Sequence, residues 1–430
     1  MDSFPANSTR PIIINNVTMP DTRIGALYIV DGVFVATPPS DALLIDGSGL
    51  IALPGLVDPH THLREPGGEA AETIATGTLA AARGGYTCVL AMPNTTPTTN
   101  GAVEADWLLR RAAATASAAV LPIGAVTLDR AGQQLADIAS LATSQARVRV
   151  FSDDGACVLD ENLLRAAMQA VLPYDAVIAE HAQDTRLAGA DTCCGAELAV
   201  CTAWELPPWP REAEWRIVER DIQLAAETGA RLHICHVSTT ESLELIRSAK
   251  AHGVRVTAEA TPHHLLLDSE CIATLDTAYK VSPPLRPVSD VLALRRAVID
   301  GTIDMIATDH APHTLTDKAC SFPNAAPGMI GLEYALGVVM EVLVNPGLIG
   351  WSDVARLMSY APAALAGLTN QGQPLTIGAP ANLTLINPIR RALVERTTAV
   401  SKGRNNPYHG RELPDPVECT IWAGKLTNYR

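Results

Sequence analysis

Between Leu56 and Asp309, short apolar runs rich in β-branched residues alternate with longer, Ala-rich stretches of helical period, one unit roughly every 30 residues. The strand-like runs fall at residues 55–58, 86–91, 120–125, 148–151, 176–180, 232–235, 254–258 and 304–308. They are nearly continuous in apolar character, as expected for parallel strands covered on both faces. The intervening stretches carry helix signals: 73–83 stops at Gly84-Gly85, and 241–251 opens after Ser238-Thr239-Thr240 and stops before Gly253. Eight β-α units predict an α/β fold, a closed (β/α)8 TIM barrel. An open doubly wound sheet would carry fewer strands and a Gly-rich phosphate loop, and no G-x-G-x-x-G or P-loop is present.

Outside this region the period changes to two. Residues 11–53 read as strands with a turn at Asp31-Gly32, and the far end offers Asn382-Leu383-Thr384-Leu385-Ile386 and Val417-Glu418-Cys419-Thr420-Ile421-Trp422. The two chain ends are therefore expected to pair as one small β-sandwich, residues 1–53 with 376–430, leaving 54–375 to the barrel.

Composition narrows the picture. Apolar residues make up 47% and charged residues 18% of 430, enough to bury a large core. The net charge of -14 is spread along the chain, which argues against a nucleic-acid or anionic-membrane surface, so an anionic substrate must be held by local cations. Nine cysteines form no C-x-x-C pair, and the vicinal Cys193-Cys194 cannot make an unstrained bridge, so reduced thiols are expected. Met1-Asp2-Ser3-Phe4-Pro5-Ala6-Asn7 lacks the basic start and apolar core of a signal peptide, and no apolar run of about 20 residues follows. The expectation is a cytoplasmic protein.

The chemistry starts at Asp58-Pro59-His60-Thr61-His62. Side chains two apart on a strand face the same way, so His60 and His62 can share one metal ion. In such a barrel, catalytic groups sit at the carboxyl ends of strands. There the sequence places Asp153 after the fourth run, His181 after the fifth, His236 after the sixth and Asp309 after the eighth. This nitrogen and oxygen set suits zinc, cobalt or manganese. His233 competes with His236, but the later residue lies nearer the rim. His263 and His264 stay open between supporting donors and satisfied core histidines, His310 reads as structural, and His313 can reach a substrate from its loop. Arg64, two residues beyond His62, offers a planar fork for a carboxylate.

The segments Gly55-Leu56-Val57-Asp58-Pro59-His60-Thr61-His62-Leu63-Arg64-Glu65-Pro66-Gly67, Met92-Pro93-Asn94-Thr95, Phe151-Ser152-Asp153-Asp154-Gly155, His236-Val237-Ser238-Thr239 and Ala307-Thr308-Asp309-His310-Ala311-Pro312-His313 resemble the dihydroorotases of the amidohydrolase superfamily. The resemblance runs from about residue 12 to the end of the chain. It implies the barrel with a small β-sandwich, and reversible cyclisation of N-carbamoyl-L-aspartate to L-dihydroorotate in pyrimidine biosynthesis. Hydantoinases, dihydropyrimidinases and allantoinases typically bridge two metals with a carboxylated lysine after the fourth strand, but the first lysine here is Lys250. The likeness is thus to the class without that lysine.

The same resemblance implies two Zn2+ ions, His60, His62 and Asp309 on one, His181 and His236 on the other, and Asp153 bridging. A hydroxide at that centre would attack the ring amide, with Asp309 as general base and acid. Arg64, Asn94 and His313 would bind the substrate carboxylate, beside His62, and the Pro327-Gly328 loop would meet the ring. Ser282 stands where the family usually has Asn, and Pro327 where many members have Phe; a serine has no amide to offer the ring. Residues 314–326, with Asp317, Lys318 and Pro323, suggest a gate over the site. Open alternatives are another cyclic amidohydrolase of hydantoinase or allantoinase type, a noncatalytic scaffold for aspartate carbamoyltransferase, and a metal-free binding protein. A homodimer and association with aspartate carbamoyltransferase are partner expectations; nucleic acid and membrane are not.

Overall fold

The computed structural model describes residues 10–188, 201–202, 205–206 and 208–429. Residues 1–7 and Cys193-Cys194, on which two expectations rest, lie outside them. The chain opens with β1 (Ile12–Thr18), β2 (Ile24–Val30), β3 (Val33–Val35), β4 (Leu43–Asp46) and β5 (Ile51–Pro54). The turn between β2 and β3 is made by Asp31 and Gly32, with φ of 50° and 80°, the left-handed pair that a tight hairpin needs.

A single residue, Gly55, separates β5 from the first barrel strand. A Cβ there would lie 2.3 Å from the Thr87 hydroxyl, so only glycine allows this approach. The barrel strands follow: β6 (Leu56–Thr61), β7 (Tyr86–Ala91), β8 (Ala119–Pro122), β9 (Val150–Phe151), β10 (Val177–Glu180), β11 (Arg231–Ile234), β12 (Val256–Ala260) and β13 (Met305–Ile306). Neighbours pair in parallel in chain order. Bridges from Gly124 to Phe151 and from Thr61 to His310 close the ring. Period-two alternation fills both sides of the wall. Val57, Cys88, Leu90, Val150, Val177, Ala179 and Met305 pack inside, while Leu56, Val89, Phe151, Ile178 and Leu232 pack against the helices.

β9 and β13 keep only two ladder residues each, fewer than the apolar runs suggest. At β13 side chains take over part of the pairing. The Asp58 carboxylate accepts from the Thr308 amide and hydroxyl, and Asp304 accepts from the Ala258 amide. The helix signals correspond to Ile74–Arg83, capped by Thr73, and Thr240–Ala251, capped by Thr239.

The chain ends with β14 (Leu383–Ile386), β15 (Arg391–Leu393), β16 (Glu412–Pro414), β17 (Val417–Trp422) and β18 (Lys425–Tyr429). The terminal β-sandwich strands share one sheet in the order β18-β17-β14-β5-β1-β2-β3, with β4 beside β1, while β15 and β16 form a separate hairpin. The joint is β14 against β5, antiparallel from Leu383↔Pro54 to Ile386↔Ile51. Ile12, Ile14, Leu27, Ile29, Phe34, Leu383, Leu385 and Ile421 form its core. Cys88, Cys157, Cys235, Cys271, Cys320 and Cys419 are free thiols. Among the described residues no helix is long and apolar enough to cross a membrane.

Candidate active site

Four histidines converge at the carboxyl rim of the barrel, and three of them are oriented by the hydrogen bond the other ring nitrogen makes. His60 donates from Nδ1 to Glu259 Oε1 (2.7 Å), His62 from Nδ1 to Asn94 Oδ1 (3.0 Å), and His181 from Nε2 to Gln183 Oε1 (2.9 Å). This leaves His60 Nε2, His62 Nε2 and His181 Nδ1 facing inward, where His236 Nε2 joins them 2.9 Å from His181 Nδ1. Asp309 Oδ1 lies 3.1 Å from His62 Nε2 and 3.5 Å from His60 Nε2. His236 and Asp309 have φ of 33° and 47°, and Arg64 beside them has 61°. Three non-glycine residues in the left-handed region within one site mark backbone strain held in place by its surroundings.

The expected bridging residue is corrected by this geometry. The Asp153 carboxylate turns away from the histidines and accepts from the Val126 amide (2.9 Å), the Thr127 amide (3.0 Å) and the Thr127 hydroxyl. Asp154 occupies the centre instead. Its Oδ1 is 3.3 Å from His60 Nε2, His181 Nδ1 and His236 Nε2, and its Oδ2 is 3.3 Å from His62 Nε2. Past the end of the short β9 the chain turns through Asp153-Asp154-Gly155, so strand alternation no longer decides which of two adjacent carboxylates faces inward.

This donor set fits metal ions. His60 with His62 and Asp309, and His60 with Asp154 and His236, form candidate metal-ligating groups. For ligands about 2.0–2.1 Å from an ion, tetrahedral geometry sets donor–donor edges at roughly 3.3–3.4 Å, close to the separations here. His60 Nε2 is buried without a hydrogen-bond partner among the described residues. Burial opposes charge on His60, yet the Asp154 and Glu259 carboxylates push its pKa well up, so positive charge is favoured there. Burial likewise opposes ionisation of Asp309, but His62 and His60 hold its carboxyl below the usual range.

Beside this cluster opens a cavity of about 320 Å³, lined by His62, Arg64, Asn94, Ser282, His313, Pro327 and Gly328 among others. All the substrate residues expected from the sequence thus face one space. Arg64 is held by donation from Nε to Pro312 O (3.1 Å), from a loop rather than a continuing strand. His313 donates from Nε2 to Pro327 O (2.8 Å), and burial, reinforced by Arg64, brings its pKa down to about 3. Gly328 has φ of 146°, and a Cβ there would lie 2.8 Å from Ala311 O and His313 Nε2. Ser282 donates to Gln183 Oε1 (3.0 Å).

The remaining histidines serve the frame. His233 holds Glu259 Oε2 (3.0 Å) and Thr257. His264 donates to Pro283 O and stacks on His263, and His310 faces Glu72 and Gly331. Sequence reasoning missed Asp154, Glu259, Gln183 and Arg130, which donates to Asp154 O (2.6 Å). Glu259 carried a usable signal, an acid directly after the seventh run, the same place from which His181, His236 and Asp309 were read.

Barrel and rim together define a cyclic amidohydrolase. A Dihydro-orotase-like family model matches residues 49–242. The dihydroorotase of Streptomyces coelicolor is 48% identical over 402 residues, 93% of each chain. That of Leifsonia xyli subsp. xyli is 49% identical over 90% of this chain and 88% of its own, and that of Mycobacterium tuberculosis 45% over 90% of each. The chain belongs to the dihydroorotase family. Among solved structures, the L-hydantoinase from Arthrobacter aurescens superposes with a TM-score of 0.87 over 98% of this chain and 96% of its own, at 22% identity. The dihydropyrimidinase from Brevibacillus agri gives 0.83 over 97% and 94%, at 23%. These two likenesses concern the fold.

Proposed function

We propose that this protein is a dihydroorotase, interconverting N-carbamoyl-L-aspartate and L-dihydroorotate, with residues 54–375 as its catalytic barrel. The observation that carries the reading is the convergence of four histidine nitrogens and two carboxylates beside a cavity that Arg64 also lines. Family membership supports the choice of substrate. His60, His62 and Asp309 would hold one divalent ion, His181 and His236 a second, and Asp154 would stand between them. Zinc suits these donors. Such ions supply Lewis acidity, lowering the pKa of a bound water and polarising the ring amide carbonyl.

The chain's own residues do the rest. Arg64 fixes the substrate carboxylate with a charge-assisted pair, with Asn94 and His313 at its side. Asp309 Oδ takes the proton of the attacking water and delivers it to the leaving amide nitrogen; in the cyclising direction the same oxygen removes the ureido proton. Glu259 and Asn94 keep His60 and His62 in the tautomers that aim Nε2 inward. Dihydroorotate turnover should be measured beside hydantoin, dihydrouracil and allantoin, with metal content determined in the same preparation. Dihydroorotate is expected to be strongly preferred, and Asp309→Ala to abolish turnover; preference for any other ring, or activity without bound metal, would overturn the reading.

A further inference from the structure

Gln183 lies two residues after His181, in the wall of the cavity, and its two amide ends face different tasks. Oε1 accepts twice, from His181 Nε2 (2.9 Å) and from the Ser282 hydroxyl (3.0 Å). Ser282 Oγ is itself 3.5 Å from His181 Nε2, so the three groups form one compact triangle. With its oxygen engaged, the amide nitrogen of Gln183 is the end left over. It donates to no group among the described residues, while the side chain is half-buried at the cavity surface. An amide whose acceptor is saturated by protein and whose two N–H donors are not is a ready partner for a ligand carbonyl.

We infer that Gln183 is a specificity-determining residue whose Nε2 donates to the ureido carbonyl of the substrate ring, while its Oε1 positions His181. The assignment rests on the dihydroorotase reading and deepens it. Ser282 then acts by steering: its hydroxyl donates to Oε1 and so fixes which end of the amide faces the cavity. Arg64 lies on the His62 side of the cluster and Gln183 on the His181 side, so carboxylate and ureido carbonyl would be read from opposite flanks. A ring lacking the ureido carbonyl would leave the Gln183 donors unpaired in a partly desolvated wall. Because His181 donates from Nε2 to Oε1, its Nδ1 lone pair is kept toward Asp154 and His236.

Two variants separate these roles. Gln183→Glu keeps an acceptor oxygen for His181 and Ser282 but has no N–H to offer; Gln183→Met has similar volume, no charge and neither end of the amide. KM for dihydroorotate is expected to rise about tenfold in both, with kcat changed less than threefold in the Glu variant. Bound metal, measured on the same purified proteins, is expected to stay at the parent level in Gln183→Glu and to fall in Gln183→Met as His181 loses its orienting partner. KM within twofold of the parent in the Met variant overturns the donor assignment. Full metal content in the Met variant overturns the positioning role. Absence of dihydroorotate turnover in the parent protein would instead defeat the proposed function, and the metal measurement would still decide whether Gln183 orients His181.

Discussion

Two adjacent aspartates in one motif do unlike things, and substitution tells them apart. Asp154→Ala removes the only carboxylate among the described residues that lies within 3.3 Å of all four histidine nitrogens. It is expected to abolish metal binding and turnover, as read by elemental analysis and steady-state kinetics. Asp153→Ala strips the acceptor from two buried amides and is expected to cost about 2–4 kcal/mol of stability. The equality of the two in sequence explains why one was mistaken for the other. His60 and His62 were legible because strand geometry dictates facing, and Asp309 and His236 because they end apolar runs. Asp154, like Gln183, sits where the backbone has left the strand, and there no period assigns direction. Glu259 stood in the right place after its run, but its role depends on His60 and His233 being brought beside it across the barrel.

The connections beyond the strand ends are built as carefully as the strands. Glu214, in the helix Glu212–Thr228, reaches under the segment after His236, accepts from the Ser238 and Thr239 amides (3.1 and 3.0 Å) and three hydroxyls, and forms an ion pair with Arg286 at 3.7 Å. Burial resists its ionisation, but Arg286 and the hydroxyls keep its carboxyl below the ordinary range. Glu214→Gln halves the acceptor capacity and is expected to lose about 3 kcal/mol, with kcat falling as His236 loosens; unfolding and steady-state kinetics check both. The segment from Thr314 is tied down by Lys318, whose ammonium donates to Thr277 O and Lys280 O. Burial, with Lys280 adding repulsion against the opposing pull of Asp276, Cys320 and Asp317, lowers its pKa to about 7. An unfolded lysine titrates near about 10.4. From pH 7 to 10 the unfolded chain therefore binds the extra proton, so this group makes stability rise with pH, and Lys318→Met should flatten that slope in thermal melts. None of this anchoring is visible in sequence, because Lys318 reads as one more loop charge until Thr277 and Lys280 are brought beside it.

Barrel and terminal sheet form one continuous path, β5 running through Gly55 into β6. The eight strands and the pairing of the chain ends were readable because apolar runs repeat at regular spacing; the shortness of β13 was not, because the Asp58 and Asp304 carboxylates replace part of its ladder. If the rim holds divalent ions only in the folded state, exhaustive chelation is expected to lower the melting temperature, and graded metal addition to restore it by mass action; an unchanged melt would contradict that. The β5–β14 joint sets a different constraint, in time. The partner of Ile51–Pro54 is Leu383–Ile386, roughly 330 residues later. At about 5–20 residues per second, the ribosome leaves that strand edge bare for roughly 15–65 s. During that interval an apolar edge that ends up fully buried is open to any other strand, so the yield of soluble protein should depend on synthesis rate and on chaperones that shield nascent chains.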